Sequence, residues 1–382
     1  MATLHTTQYN DRVVLTLFSA GGEIIQLPTR WIARLSSQIG LTYSSNTVLQ
    51  YAKNLKYLVD WLEATDRDEV VGLDDLLCLL NRVDIEDWLT SQISSGLARS
   101  TVRNREVVLR EFLKWLSSRG DPDASGIYQR VYPTDKLIVK APHKRVPKYV
   151  SVEEVTLLLR GYLNECERCF AHTLYDTGLR VSEGINLRLD DLPDPRLFPD
   201  GLKYLPLYVR GAKGRAGRAK ERVAIISRPL LSRIRRYHSS PEYRFADRWL
   251  SSDPSKPVFL SATGLPHNYA NVYKQLKCAA KRSELNPGKY SPHKLRHGAG
   301  YSILRSELGN DYTEKLVLLQ ESFGHQSIST TEIYTSIPAP LLSRLNTQSD
   351  VSDKYEEAKQ IYKETFLPHH EHDEERGHYT RT

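Results

Sequence analysis

The chain holds 382 residues, 40% hydrophobic and 26% charged, with a net charge of +7 and a pI near 9.0. That length accommodates two domains with cores of their own, and the composition is that of a soluble globular protein whose basic balance favours a polyanionic partner. Four cysteines (Cys78, Cys166, Cys169 and Cys278) argue against a disulfide scaffold and for a reducing compartment. No apolar run nears the roughly 18 residues that cross a bilayer, and residues 1–22 lack a signal-peptide layout. A cytoplasmic protein with no membrane association is expected.

In chain order, residues 12–28 predict a small hairpin, Val13–Phe18 and Glu23–Leu27 around Gly21-Gly22, whose freedom to adopt positive φ suits a tight turn. From about Arg30 to Ser118 the pattern is helical. Val48, Tyr51, Leu55, Leu58 and Leu62 recur at steps of three and four and form one apolar stripe. Leu109, Phe112, Leu113 and Leu116 repeat it in a later helix. Ahead of that helix, Arg99, Ser100, Thr101, Arg103 and Arg105 offer hydroxyls and guanidiniums to a phosphate backbone; the competing reading is a solvated helix face. Residues 133–149 set Pro133, Pro142 and Pro147 among Lys136, Lys140, Lys144, Arg145 and Lys148, which reads as an extended basic linker. Ser151-Val-Glu-Glu154 is a capping box that opens a second domain. Strand-like runs Tyr204–Arg210 and Arg222–Ile226 flank a Gly- and Lys-rich turn, and helical patterning continues to about Tyr334. Beyond Pro340 lies a polar tail whose final histidines and carboxylates, from His369 to Glu375, read as solvated chain more than as a metal site.

Basic and hydroxyl side chains recur through the second half. Arg180 follows Gly178, which ends one helix, so Arg180 falls near the start of the next, where free N–H groups favour an anion. A guanidinium there can hold a phosphate bidentately, or it can pair with Glu183 on a helix face. Lys213, in the turn Val209-Arg-Gly-Ala-Lys-Gly214, is a candidate general acid, with Lys220 as its competitor and a solvated turn lysine as the bland alternative. His293 and Arg296 lie at i and i+3 and share a helix face, and Pro292 is tolerated in that helix's first turn. Tyr334 follows His325 with eight residues between them; a phenol near pKa 10 attacks phosphorus only with cationic help. No carboxylate pair or Cys/His cage is interleaved to hold a metal, and Cys166-x-x-Cys169-x-x-His172 offers three helix positions without a second ligand pair. The set therefore fits phosphodiester chemistry in which side-chain cations replace Mg²⁺.

Taken together, Thr177-Gly-Leu-Arg180-Val-Ser-Glu183, Ser291-Pro-His-Lys-Leu-Arg-His297 and Phe323-Gly-His325-Gln-Ser-Ile-Ser-Thr-Thr-Glu-Ile-Tyr334 resemble the catalytic boxes of the tyrosine recombinase (phage integrase) family over roughly residues 148–340. Over residues 30–130 the likeness rests only on a basic helical domain of suitable size. The resemblance implies a mainly α fold with a small antiparallel sheet, built as a two-domain DNA clamp. Its parts are an N-terminal hairpin extension (1–29), a helical, SAM-like core-binding domain (30–132), a basic linker (133–149), an α/β catalytic domain (150–340) and a C-terminal tail (341–382).

It also implies roles for the residues. Arg180 and Arg296 hold the scissile phosphate, Tyr334 attacks to form a 3′-phosphotyrosyl bond, and Lys213 protonates the leaving 5′-oxygen. His293 acts as acid/base, His325 hydrogen-bonds the phosphate, and Glu183 supports the site. Arg99, Thr101, Arg103, Arg105, Lys144 and Arg145 contact DNA. No metal or other cofactor is needed. The expected partner is double-stranded DNA carrying recombination sites, in a mobile genetic element or elsewhere, with self-association to a tetramer on DNA, possible accessory proteins and a nucleoid-associated location. The alternatives are a type IB topoisomerase-like enzyme or hairpin-forming resolvase with the same chemistry, and a non-catalytic accessory protein of the same fold. The sequence departs from the family in a turn after Lys213 that is a few residues longer than usual, in a hairpin too short to be an arm-binding domain, and in a longer tail.

Overall fold

The computed structural model describes residues 1–9, 12–39, 42–65, 71–118, 126–142, 149–213, 219–250, 252–261, 263–306, 308, 312–324 and 353–367. These fall into two compact units, residues 1–142 and residues 149–367. Lys144, Arg145, His325, Tyr334, the turn 214–218 and the histidine-rich end lie outside the described residues.

In the first unit, strands β1 (Thr3–Tyr9) and β2 (Arg12–Phe18) pair antiparallel, and helices α1 (Gln26–Ser36), α2 (Ser45–Glu63), α3 (Leu73–Leu79), α4 (Arg82–Ser94), α5 (Arg99–Ser117) and α6 (Ile127–Val131) follow. The hairpin expected over 12–28 is thus corrected. β2 takes Thr3–Tyr9 as its partner, and the glycine pair makes only a short return. Gly22 does adopt a φ of +85°, and Ile25 N donates to the Leu17 carbonyl at 3.0 Å, but the chain then enters α1. Helix wins there because Asp74 accepts both Gln26 N and Leu27 N at 2.7 Å, caring for N–H groups that a helix start leaves free. The α2 stripe is buried at Val48, Leu55, Leu58 and Leu62 and that of α5 at Leu109, Phe112, Leu113 and Leu116, and the two share one core with Trp31 and Trp88.

The second unit contains α7 (Val152–Arg160), α8 (Glu165–Thr177), α9 (Val181–Ile185), β3 (Tyr204–Lys213), β4 (Ala219–Ser227), α10 (Arg228–His238), α11 (Pro241–Arg244), α12 (Tyr269–Arg282), α13 (Pro292–Arg305), α14 (Tyr312–Phe323) and α15 (Lys354–Thr365). The capping box that opens α7 forms as expected, with Glu154 N donating to Ser151 Oγ at 3.3 Å and Ser151 N to the Glu154 carboxylate at 3.1 Å. Helix α8 is the spine: eleven of its thirteen residues are buried, and α7, α10, α13 and β4 all pack on it. Cys166, Cys169 and His172 lie in this buried helix, and no group of three metal-ligating side chains occurs among the described residues. No described helix is long and apolar enough to cross a membrane.

What reads in sequence as a uniformly polar tail contains a docked helix. Along α15, Ala358 and Ile361 are buried, and both ends are tied down by polar contacts. Lys354 donates to the Asp176 carbonyl at 2.8 Å. At the other end, Arg233 donates from Nη1 to Thr365 Oγ1 at 2.7 Å and from Nη2 to the Thr365 carbonyl at 3.0 Å, while Nε and the same Nη2 hold Glu165 at 2.6 and 3.0 Å. Charged and amide-bearing residues outnumber apolar ones along α15, so its inner face is inconspicuous in a hydropathy reading.

Three imidazoles of this unit are kept neutral. His172 is pushed well down by burial and by the charges of Arg233 and Lys354; His238 and His267 are each lowered to about 4 by burial. Unfolded, each takes up a proton near pH 6.5, so the unfolded state binds more protons as pH falls below that value and stability drains away toward pH 4. The thermal midpoint should therefore fall steadily between about pH 7 and about pH 4.5, and a His238→Gln/His267→Gln variant should show a shallower decline. Equal slopes in a melting series of the two proteins would contradict this.

Candidate active site

The site is assembled where α8 ends. Gly178 adopts a φ of +66°, and a β-carbon there would lie 2.1 Å from Cε1 of Phe323, so glycine is required for both conformation and space. Thr177 Oγ1 donates to the Thr173 carbonyl at 2.6 Å and accepts Leu179 N at 3.3 Å, which closes the turn from inside. The chain then enters α9 with Arg180 at the N-cap and Glu183 at the third helical position. Glu183 reaches back as a capping carboxylate: Oε2 accepts Arg180 N at 2.7 Å, and Oε1 accepts the Arg180 guanidinium at 2.8 Å. The expected anion site at this helix start is partly taken by the chain's own carboxylate. Glu183 already occupies the Arg180 N–H, and a five-residue helix supplies little dipole.

Glu183 is the hub. Its side chain is 1% exposed, and Oε2 also accepts Nη2 of Arg222 at 2.8 Å and lies 3.9 Å from Nη1 of Arg296. Three guanidiniums thus surround one carboxylate. They differ in exposure: the Arg180 side chain is 35% exposed, whereas those of Arg222 and Arg296 are 5% and 3%. Arg296, on α13, donates to the Gly178 carbonyl and, at 2.8 Å, to the Phe323 carbonyl, with its guanidinium 4.3 Å above the Phe323 ring. Gly298 lets α13 approach this closely, since a β-carbon there would come within 2.6 Å of the Tyr175 ring.

His293 stands one turn before Arg296, exposed at the start of α13, its ring 4.3 Å from that of His297. Partial burial, then the charges of Arg296 and Arg180, lower its pKa, so it is neutral at pH 7 and able to accept a proton. His297 is pushed down to about 4 by burial and by its neighbours His293, Arg296 and Lys294. Lys213 and Lys220 occupy adjacent rungs at the turn end of the β3–β4 ladder, in register with Ala219 and Ala212.

The structure thus brings together Arg180 and Glu183 with His293 and Arg296, two pairs separated by more than a hundred positions. It adds Arg222, which sequence reading passed over. In the first unit, Arg99 and Thr101 are exposed within the first turn of α5, so these basic residues belong to the helix and do not precede it. Arg103 donates to the Val139 carbonyl, and Arg105 donates to Gln92 at 2.7 Å while lying 3.5 Å above the Tyr57 ring. Both are engaged within the protein.

Comparison with known proteins accords with this geometry. The profile of the phage integrase family matches residues 151–339, and that of the phage integrase N-terminal SAM-like domain matches residues 29–120. The chain belongs to the tyrosine recombinase (phage integrase) family. Tyrosine recombinase XerD of Corynebacterium glutamicum is 27% identical over 326 residues, covering 83% of this chain and 95% of that protein. Its counterpart in Mycobacterium tuberculosis is 29% identical over 310 residues, covering 77% and 88%. Among solved structures, XerH site-specific recombinase bound to its palindromic difH substrate matches with a TM-score of 0.60 at 18% identity, covering 78% of each chain. A lambda integrase dimer bound to a COC′ core site matches with a TM-score of 0.56 at 14% identity, covering 82% of this chain and 78% of that one. These likenesses place the fold: mainly helical with small antiparallel sheets, a helical N-terminal domain and a recombinase catalytic domain. The protein is a site-specific recombinase, an enzyme of DNA strand breakage and rejoining.

The close approach at Gly178 yields a direct test. Gly178→Ala places a methyl group into Phe323 and strains a left-handed residue, at a cost of about 1–3 kcal/mol for the backbone alone. The melting temperature should drop, and DNA cleavage should fall further than the stability loss explains, because the Gly178 carbonyl that Arg296 grips must shift. An alanine variant with wild-type melting and activity would show that the turn tolerates a β-carbon.

Proposed function

We propose that this recombinase cleaves and rejoins DNA through a 3′-phosphotyrosyl intermediate at Tyr334, with Arg180 and Arg296 holding the scissile phosphate. The observation that carries the reading is the Glu183-centred cluster, which sets the two arginines of separate sequence boxes side by side with His293 next to them. A pentacoordinate phosphorus carries more negative charge on its non-bridging oxygens than the starting diester does, so fixed guanidiniums favour the transition state over the ground state. Removing one such donor typically costs about 10²–10³ in rate.

The tyrosine proton leaves as its oxygen attacks, and neutral His293 is a suitable acceptor at pH 7. Lys213 is the acid for the departing 5′-oxygen, and His325 hydrogen-bonds the phosphate. The phosphotyrosyl linkage keeps the energy of the broken phosphodiester, so a 5′-hydroxyl of a partner strand reverses the attack without ATP. Exchange between two sites needs four active sites, which points to a tetramer on paired DNA duplexes. Arg99 and Thr101, exposed at the start of α5, remain the better backbone contacts in the first unit, since Arg103 and Arg105 have partners within the protein.

The test begins with sheared genomic DNA from the organism of origin. Wild-type protein should become covalently attached to a recurrent sequence, which defines the site. Tyr334→Phe should bind that site and form no adduct, and cleavage should persist in excess EDTA. An adduct that survives Tyr334→Phe, or cleavage that disappears with chelation and returns with Mg²⁺, would overturn the reading. The acid is assigned with a 5′-bridging phosphorothioate, whose sulfur departs without protonation. Lys213→Ala should cleave the natural duplex slowly and recover most of its rate on the sulfur substrate, whereas Lys220→Ala should be mildly impaired on both. The reverse pattern would give the role to Lys220.

A further inference from the structure

We propose that Arg222 is a positioning residue for strand cleavage. It holds Glu183 in place and offsets its charge, so that Glu183 orients Arg180 without weakening the pull of Arg180 and Arg296 on the phosphate. The inference rests on the function proposed above.

Arg222 lies in β4, on the strand that pairs with the Lys213-bearing β3, with Val209 as its register partner. Its two terminal nitrogens point to different segments. Nη2 donates to Glu183 Oε2 at 2.8 Å, and Nη1 donates to the carbonyl of Ser322, in the last turn of α14 just before Phe323-Gly324-His325. Its Nη2 is spent on Glu183 and its Nη1 on the Ser322 carbonyl, so we place it behind Glu183, whereas the Arg180 side chain is 35% exposed. It acts through Glu183, as a positioning residue.

Its effect runs through Glu183. That carboxylate is needed to fix Arg180, because it grips both the backbone N–H and the guanidinium of that residue. Alone, it would also place a buried negative charge beside the site of a phosphate that gains negative charge during reaction. Arg222 supplies a buried counter-charge on the carboxylate's far oxygen. It keeps that oxygen from drawing Arg296 into a close pair: the distance there is 3.9 Å, against 2.8 Å for Arg222. In a poorly solvated setting such charges are weakly screened, so an indirect contribution of this kind is measurable.

The experiment uses a nicked duplex of the covalently captured site. Arg222→Met should bind that duplex within about twofold of wild type and cleave it about tenfold to a hundredfold more slowly, less than the loss of a direct donor. Two readouts separate charge from mere scaffolding. On a duplex with a neutral methylphosphonate at the scissile position, the penalty for Arg222→Met should shrink to about threefold or less, because the charge being stabilised is reduced. Adding Glu183→Gln to Arg222→Met restores the net charge of the cluster and should recover part of the lost rate on the natural duplex, the remainder reflecting the single acceptor oxygen that an amide offers Arg180. Arg222→Lys, which keeps the charge and loses the two-armed grip, should fall between wild type and Arg222→Met.

Should Arg222→Met fail to fold, the Glu183→Gln/Arg222→Met and Arg222→Lys proteins carry the same comparison. Cleavage by Arg222→Met within threefold of wild type overturns the inference. So does an equal loss on the charged and neutral substrates that Glu183→Gln leaves unrelieved. Failure of the wild-type protein to form a Tyr334 adduct on any DNA instead overturns the underlying reading of function, and this inference with it.

Discussion

A buried carboxylate among buried guanidiniums is stable only as a set. Glu183 is almost fully removed from water, a state that disfavours an isolated charge unless it is paired and hydrogen-bonded. Arg180, Arg222 and Arg296 converge within a few ångströms of one another and would repel without an anion between them. Each side makes the other tolerable, and the pairing draws together the start of α9, the middle of β4, the first turns of α13 and the end of α14. The rest of the catalytic unit serves that convergence. Gly178 and Gly298 thin the backbone where α13 meets the end of α8, and Phe323 provides both a floor for Arg296 and a carbonyl for it to grip.

The same principle recurs at both ends of α8. At its C-terminus the unpaired carbonyls carry the negative end of the helix dipole, and two buried cations meet them: Lys354 at the Asp176 carbonyl and Arg296 at the Gly178 carbonyl. At its N-terminus, Glu165 sits in the first turn, where a carboxylate is favoured, and it holds the fully buried Arg233. The polar contacts of α15 therefore reach the two ends of the helix on which the active site is built. Paired buried charges of this sort contribute little net stability against apolar replacements, but they penalise any register in which the partners miss each other.

How much of this was legible in the sequence depended on distance along the chain. The Ser151 capping box, the helix stop at Gly178, the N-cap place of Arg180, the Arg180–Glu183 pair and the i, i+3 pairing of His293 with Arg296 are all local, and the chain's own spacing exposes them. Arg222 was passed over because its partners lie 39 and 100 residues away, and in its own neighbourhood it is one more basic residue beside a lysine-rich turn. Arg103 and Arg105 illustrate the converse. A cluster of arginines looks solvent-directed until the fold supplies Val139, Gln92 and Tyr57. The N-terminal hairpin misled because a Gly-Gly turn signal is local, whereas the choice of Thr3–Tyr9 as partner for β2 and the capture of the α1 start by Asp74, 48 residues from Gln26, are not.

This division has a consequence for how the site can change. Groups that touch the phosphate must keep their identity, since an ammonium or amide cannot reproduce the planar, two-pronged donor set of a guanidinium. Groups that act through Glu183 face a looser constraint: a compensating charge at the far oxygen, and a donor for the α14 carbonyl. The arrangement is therefore layered. On the proposed reading, Arg180 presents its exposed face to the reacting centre, Glu183 fixes that face, and Arg222 offsets the charge of the carboxylate that does the fixing. A carboxylate in the middle layer is the natural choice, because its two oxygens grip donors on opposite sides at once. Oε1 holds the Arg180 guanidinium, and Oε2 holds both the Arg180 backbone N–H and the Arg222 guanidinium. A neutral amide in that position would offer one acceptor oxygen where three donors converge, and would leave at least one buried guanidinium without its partner.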